Sequence, residues 1–458
     1  MSCFQTIDST ALQLFLYKEN DNNHIDNRII DIYSELAKHC NFLQDIQIKD
    51  ELNSSFDFQF EKVIVLVRHG DRGPFRSVKN LNSLRCDNDI NHFKNVNSDE
   101  HFFMNLVNIF VRSEYNLSKL NFSSYMTDLP HEKCVLGRLT KFGVSQHIKL
   151  GYLLSKTYFH RFNLTKTKAI NSLKVYTTKT SRTFQSALSF LFGLFNQLNE
   201  TFFYENLPDF IYSFDSYFCG VNESSQYCSL RCSKISILRN KLSLSNLLNT
   251  NKLASLNAVI ENLSKIIAPN AELLPEYSSI ISIFDGINAY LCHHEKLPCH
   301  PTYGCVLPSH VEDIFSYVCL IGKKFQNSYA YKHLSWLNIY GFLNNLIEEI
   351  YDASKFIIFF GHDITLESLK SVLGFHDCII PPYASRMTFE VYSRTSKKYL
   401  RILYNGVDVT KQINNSNHLL KTNEGLYLIE VEKFRNYVRE EFKFFTDTYD
   451  YKVACAND

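Results

Sequence analysis

Two apolar runs stand out along the chain because each breaks off abruptly into charge. Val63 to Val67 is five consecutive β-prone residues, and Phe356 to Phe360 is another such run. Runs of this length bounded by turn residues predict buried strands. The first exits into Arg68-His69-Gly70-Asp71-Arg72-Gly73-Pro74, the second into Gly361-His362-Asp363. A third strand, Leu173 to Thr177, exits into Thr178-Lys179-Thr180-Ser181-Arg182. Glycine and proline at such exits mark turns.

Between the strands the period changes to that of a helix. Phe184, Ala187, Leu188, Leu191, Phe192 and Phe195 fall on one helical face, with Thr180 or Ser181 as the cap. A helix is predicted from Leu139 to about Tyr158 with Thr140 at its N-cap, and others over 335–351 and 432–445. A short helix starts at Thr365 and stops at Gly374, a C′ glycine. Met387, Phe389 and Val391 alternate, as do Leu400, Ile402 and Tyr404, which predicts a hairpin turning across Thr395 to Lys398. Residues 26–40 read as a helix in an otherwise polar extension, and 100–111 as an amphipathic segment in an insertion over the strand ends. Residues 205–335 carry helical patterns, chiefly 244–268 and 277–291, and no strand as strong as Val63 to Val67.

The expected architecture is α/β: a doubly wound, mostly parallel sheet with a helical, disulfide-tied cap. Residues 1–58 form an N-terminal extension; 59–75, 138–204 and 336–445 a discontinuous core; 76–137 and 205–335 the cap insertions; and 446–458 a C-terminal tail. No internal repeat at solenoid period is present.

Composition narrows the setting. With 45% hydrophobic residues among 458, the chain can bury one large core or two smaller ones. A net charge of +1 excludes non-specific nucleic-acid binding, so any anion site must be local. No apolar run approaches the length of a membrane span, so no membrane segment is expected in this sequence. The 13 cysteines cluster at 219–232 and 292–305, which predicts local staples in an oxidising compartment, and N-x-S/T sequons agree. The N-terminus shows no signal-peptide pattern, so the expectation is that the chain starts downstream of its signal or anchor. Cys292, His293, His294, Cys299, His300 and Cys305 could form a zinc cluster, but their spacing fits disulfides better, so no metal is expected.

The chemistry sits at the three strand exits. In an open α/β sheet, ligands bind beyond the carboxyl ends of the strands. Parallel strands would gather Arg68, His69, Arg72, Arg182, His362 and Asp363 in one crevice. Neighbouring guanidiniums keep an imidazole neutral and attract an anion, and a neutral imidazole beside a bound phosphate can attack phosphorus. Arg182, in a first helical turn, meets free backbone N–H groups that favour an anion.

Arg68-His69-Gly70-Asp71-Arg72-Gly73-Pro74 resembles the RHGxRxP signature of the histidine acid phosphatases, and His362-Asp363 resembles that family's HD pair. The resemblance runs from about residue 60 to the C-terminus. It implies a histidine phosphatase fold, no cofactor, His69 as nucleophile and Asp363 as general acid and base. It also implies that Arg68, Arg72, Arg182 and His362 hold the phosphate. It further implies a rate that falls from about pH 5 to 8 as Asp363 loses its proton, and a link from Cys134 or Cys378 towards Cys455. Thr178 to Leu194, Cys292 to Val306 and Arg401 to Thr410 resemble a branch acting on a phosphorylated carbohydrate of the glycosaminoglycan–protein linkage region, in the Golgi lumen. Alternatives are a general lysosomal or secreted acid phosphatase, an inositol-polyphosphate phosphatase, and an inactive binding protein on the same fold.

Overall fold

The computed structural model describes residues 38–52, 57–86, 133–159, 172–195, 211–213, 232–242, 250–375, 380–413 and 419–456, with positions 106, 161, 162 and 377. The expected helices at 26–40 and 100–111 lie outside these residues, apart from 38–40, which are helical, and 106.

Strand β1 (Gln59–Arg68) runs through the middle of a nine-stranded sheet. On one side it pairs in parallel with β4 (Phe356–Gly361), which pairs in parallel with β2 (Leu173–Thr177), and that with β3 (Ile211–Ser213). On the other side it pairs antiparallel with β5 (Arg386–Arg394), the first strand of the predicted hairpin. Its partner β6 (Lys397–Tyr404) opposes Met387 to Tyr404, Phe389 to Ile402 and Val391 to Leu400. Thr395 and Ser396 both take positive φ (45° and 65°), so the turn is a two-residue one whose twist suits a hairpin. Strands β7 (Val407–Asp408), β8 (Leu419–Lys421) and β9 (Tyr427–Glu430) complete the antiparallel half. The sheet is therefore mixed, and its parallel part lies where the site forms. Strand β3 adds an edge to the core sheet from within the segment assigned to the cap.

Side-chain alternation splits the sheet's two faces. Val63, Val65 and Val67 with Phe356, Ile358 and Phe360 face α1 (Lys141–Leu154) and α2 (Ser181–Leu194). Ile64, Leu66, Ile357 and Phe359 face α7 (Tyr329–Tyr351), α8 (Asp363–Leu373) and α9 (Val431–Thr446). Burial on both faces is why these runs are continuously apolar. Thr140 caps α1 as predicted, accepting from the Gly143 N–H at 3.0 Å, and Gly374 ends α8 at φ 85°; Thr180 stands at the N-cap of α2 without a side-chain capping bond, and α8 starts at Asp363 rather than Thr365.

The cap has its own core, built on α4 (Thr250–Ile267), α5 (Ile280–Leu291) and α6 (Pro308–Gln326). Cys299 pairs with Cys305, Cys86 with Cys134, and Cys40 with Cys292. Cys455, on α10 (Tyr451–Cys455), pairs with Cys232. The link from Cys134 towards Cys455 is thus corrected. The tail helix packs on α7 and α3 (Ser233–Lys241), which brings Cys232 to it, while Cys134 sits beside Cys86 in the other cap insertion. Cys378 lies outside the described residues. The four disulfides among the described residues fit an oxidising, secretory compartment. No helix among the described residues is long and apolar enough to cross a membrane.

The end of the N-terminal extension is core rather than tail. Cys40, Phe42, Leu43 and Ile46 are buried against α1, and Gln146 donates to the carbonyls of Cys40 and Asn41.

Candidate active site

The register of β1, β4 and β2 brings the three polar exits level. Val67 lies opposite Phe360, which lies opposite Thr177, so Arg68-His69, His362-Asp363 and Thr178 leave the sheet together. The turn after β1 is packed hard onto the start of α1. A Cβ on Gly70 would lie 2.5 Å from the Gly143 carbonyl oxygen, and one on Gly143 would lie 2.4 Å from that of Asp71. Only glycine at both positions permits this approach. Asp71 fixes the turn further. Its N–H donates to Gln146, and its carboxylate accepts from Thr140 and contacts His293 Nε2 at 3.0 Å. His293 is thus drawn into an Asp71 contact, and Cys292, Cys299 and Cys305 of the same cluster are disulfide-bonded.

His69 is 1% exposed. Its Nδ1 lies 2.8 Å from the carbonyl oxygen of Gly70. A carbonyl can only accept, so Nδ1 carries the proton and Nε2 keeps its lone pair. Burial, then Arg182 and Arg68, hold its pKa well below the usual histidine value. The imidazole is therefore neutral at any physiological pH.

The guanidiniums are held by separate anchors. Arg68 donates to the Pro381 carbonyl and, at 2.9 Å, to Asp363 Oδ2, and it lies 4.3 Å above the Tyr383 ring. Arg72 donates to Asp285 Oδ1 at 2.7 Å and lies 3.4 Å over the Phe75 ring. Arg182, near the start of α2, reaches His362 Nδ1 at 3.4 Å. The other nitrogen of His362 lies 3.0 Å from Thr178 Oγ1, so Nε2–H donates there and Nδ1 accepts from Arg182. Burial, then Arg182, lower the His362 pKa to about 3. The His69 and His362 rings meet edge to face at 5.5 Å. In this geometry His362 orients Arg182. It can donate to phosphate only once protonated.

Asp363 begins α8, and its Oδ1 accepts from the Ile364 N–H at 2.8 Å. Burial alone would raise its pKa, but Arg68 and then Arg72 outweigh burial and hold the carboxyl well below the ordinary range. All six residues singled out in the sequence thus converge.

Three further residues shape the site. Asp285 arrives from α5 of the cap, binds Arg72, and accepts from the Phe75 N–H with its second oxygen at 2.7 Å. Tyr383 forms the floor beneath Arg68. His39 arrives from the N-terminal segment and packs against Phe284 and Tyr383 at 4.8 and 5.6 Å. With Arg68, Arg72, Phe75, Asp363 and neighbours they line a cavity of about 480 Å³.

The buried histidines have a measurable consequence. His39, His147 and His362 are lowered from 6.5 to about 3, and His69 is lowered as well. At these four histidines the unfolded chain therefore binds more protons below pH 6.5 than the native one, an excess that Glu367, raised by burial to about 7, offsets by one proton. Stability is complete above 6.5 and falls as pH drops towards 3, by about 1.4 kcal/mol per pH unit for each such group. Thermal unfolding at pH 5 is expected at a clearly lower temperature than at pH 7, and His147→Leu is expected to make the pH slope shallower by one proton. An equal unfolding temperature at both pH values would contradict these shifts.

The site is a phosphate-sized cluster of guanidiniums around a bare imidazole nitrogen, at the switch between parallel and antiparallel halves of a mixed sheet. The chain belongs to the histidine phosphatase superfamily, branch 2, whose model matches residues 59–282 and 310–405. It is a phosphatase of that family. In sequence it is similar to human 2-phosphoxylose phosphatase 1, at 26% identity over 397 residues, covering 83% of this chain and 78% of that protein. It is also similar to Counting factor 60 of Dictyostelium discoideum, at 24% identity over 373 residues, covering 76% and 80% of the two chains. In fold it is similar to the Klebsiella sp. ASR1 phytase, with a TM-score of 0.51 at 12% identity, covering 85% of this chain and 97% of that one.

Proposed function

We propose that the protein hydrolyses a phosphate monoester of a carbohydrate through a phosphohistidine at His69. The substrate would be a xylose 2-phosphate in the glycosaminoglycan–protein linkage region, met in the Golgi lumen. The observation that carries the chemistry is the lone pair of His69 Nε2 among Arg68, Arg72 and Arg182, with the Asp363 carboxyl on the same Arg68. The sugar is supported by the names of the sequence relatives.

The sequence of events follows from the geometry. The three guanidiniums take the oxygens of the monoanionic ester, whose proton passes to the Asp363 carboxylate, while His362 orients Arg182. His69 Nε2 forms a bond to phosphorus in line as the bond to the sugar oxygen breaks. The departing alkoxide takes a proton from Asp363. Asp363 then removes a proton from water, which attacks the phosphohistidine and releases inorganic phosphate. No metal or cofactor is called for in these steps, because the arginines neutralise the charge.

The test is phosphate release from a linkage-region oligosaccharide carrying 2-phosphoxylose, beside an aryl phosphate. Release from the oligosaccharide supports the whole reading. Release from the aryl phosphate alone keeps the phosphatase and removes this sugar. Silence on both from folded protein overturns the reading.

A further inference from the structure

We propose that Phe75 is a specificity-determining residue, a platform on which the substrate's neutral sugar ring packs while its phosphate sits on the arginines; this rests on the carbohydrate reading above. Phe75 follows the turn after β1 and is 46% exposed. It is nonetheless held in place. Its N–H donates to Asp285, whose other oxygen holds Arg72. The Arg72 guanidinium lies 3.4 Å from the Phe75 ring centroid and that of Arg182 5.3 Å. One edge lies near Gly137. Phe75 also lines the cavity.

One carboxylate therefore fixes both a phosphate-binding guanidinium and an open aromatic surface beside it. A phosphate on Arg72 brings its ester group alongside that surface. Sugar rings present C–H faces that pack on aromatic rings. The wall beyond the phosphate adds Ile281, Phe284, Ile380 and Tyr383. Its further charges are Arg76, which is 3.8 Å from Glu276, and the carboxylates Asp285 and Asp363. Such a wall suits a neutral ring with a single phosphate and opposes a ring carrying several.

The experiment compares kcat/KM for a methyl xyloside 2-phosphate with that for glycerol 2-phosphate. Both release a secondary alkoxide, but only the first presents a ring. In Phe75→Ala the ratio of the two is expected to fall roughly tenfold, through KM for the xyloside. Phe75→Tyr, which keeps the aromatic face, is expected to retain the wild-type ratio. An unchanged ratio in Phe75→Ala overturns the platform and leaves Phe75 as a prop for Arg72. So does a ratio in Phe75→Tyr as low as in the alanine variant. Wild-type turnover of inositol hexakisphosphate above that of the xyloside also overturns it. A wild type silent on both small esters instead removes the function proposed above.

Discussion

His69→Ala is expected to abolish phosphate release, by about 10⁴-fold or more, on every phosphate ester tested. The size follows from the role. All turnover passes through a bond to His69 Nε2. Removal leaves Arg68, Arg72 and Arg182 in position, so inorganic phosphate or vanadate should still bind the variant. Calorimetric titration of the variant beside steady-state rates separates the two effects. Residual activity near a tenth of wild type would mean that water attacks the ester directly and that His69 only positions it.

The second large effect is expected at Asp363. A xylose alkoxide is a poor leaving group and needs a proton as it departs; a nitrophenolate does not. Asp363→Asn should therefore cost about 10²–10³-fold with an alkyl or sugar phosphate and less than about tenfold with p-nitrophenyl phosphate. An equal loss on both would place Asp363 in binding alone. The pH profile follows the ester rather than this carboxyl, which corrects the expectation that the fall reports loss of the Asp363 proton. Burial works against ionisation, yet Arg68 and Arg72 keep it ionised in the free enzyme across the physiological range. Its catalytic proton must then arrive with the substrate, as the monoanion of the ester, whose second pKa lies near 6. kcat/KM is thus expected to fall as pH rises above about 6, by about tenfold per unit. A profile flat to pH 8 would contradict this.

The strand exits were legible because the local pattern contains the whole signal. An apolar run that ends in Arg-His-Gly or Gly-His-Asp states both the buried strand and the polar turn, and register does the rest. The hairpin of β5 and β6 was legible for the same reason, since alternation fixes which residues oppose. Asp285 was not legible. It sits among Phe284, Gly286 and Ile287 in a helix of the cap, and its value arises only when that helix meets Arg72. His39 and Tyr383 likewise have no local mark; a cysteine pairing 252 residues apart helps bring His39 to the cavity. Thr178 lay in a Thr-rich exit that signalled a cap, and its second use, as acceptor from His362, depends on β4 lying next to β2. The cysteine pairings were out of reach because connectivity follows the fold rather than spacing.

The most direct test of the central claim is to trap the intermediate. The enzyme is mixed with a phosphate-labelled substrate, quenched within milliseconds in base, digested and sequenced by mass spectrometry. One phosphate is expected on the peptide containing His69, stable to base, lost in acid, and absent from His69→Ala. Turnover without any labelled enzyme, or an acid-stable label on another residue, would contradict it.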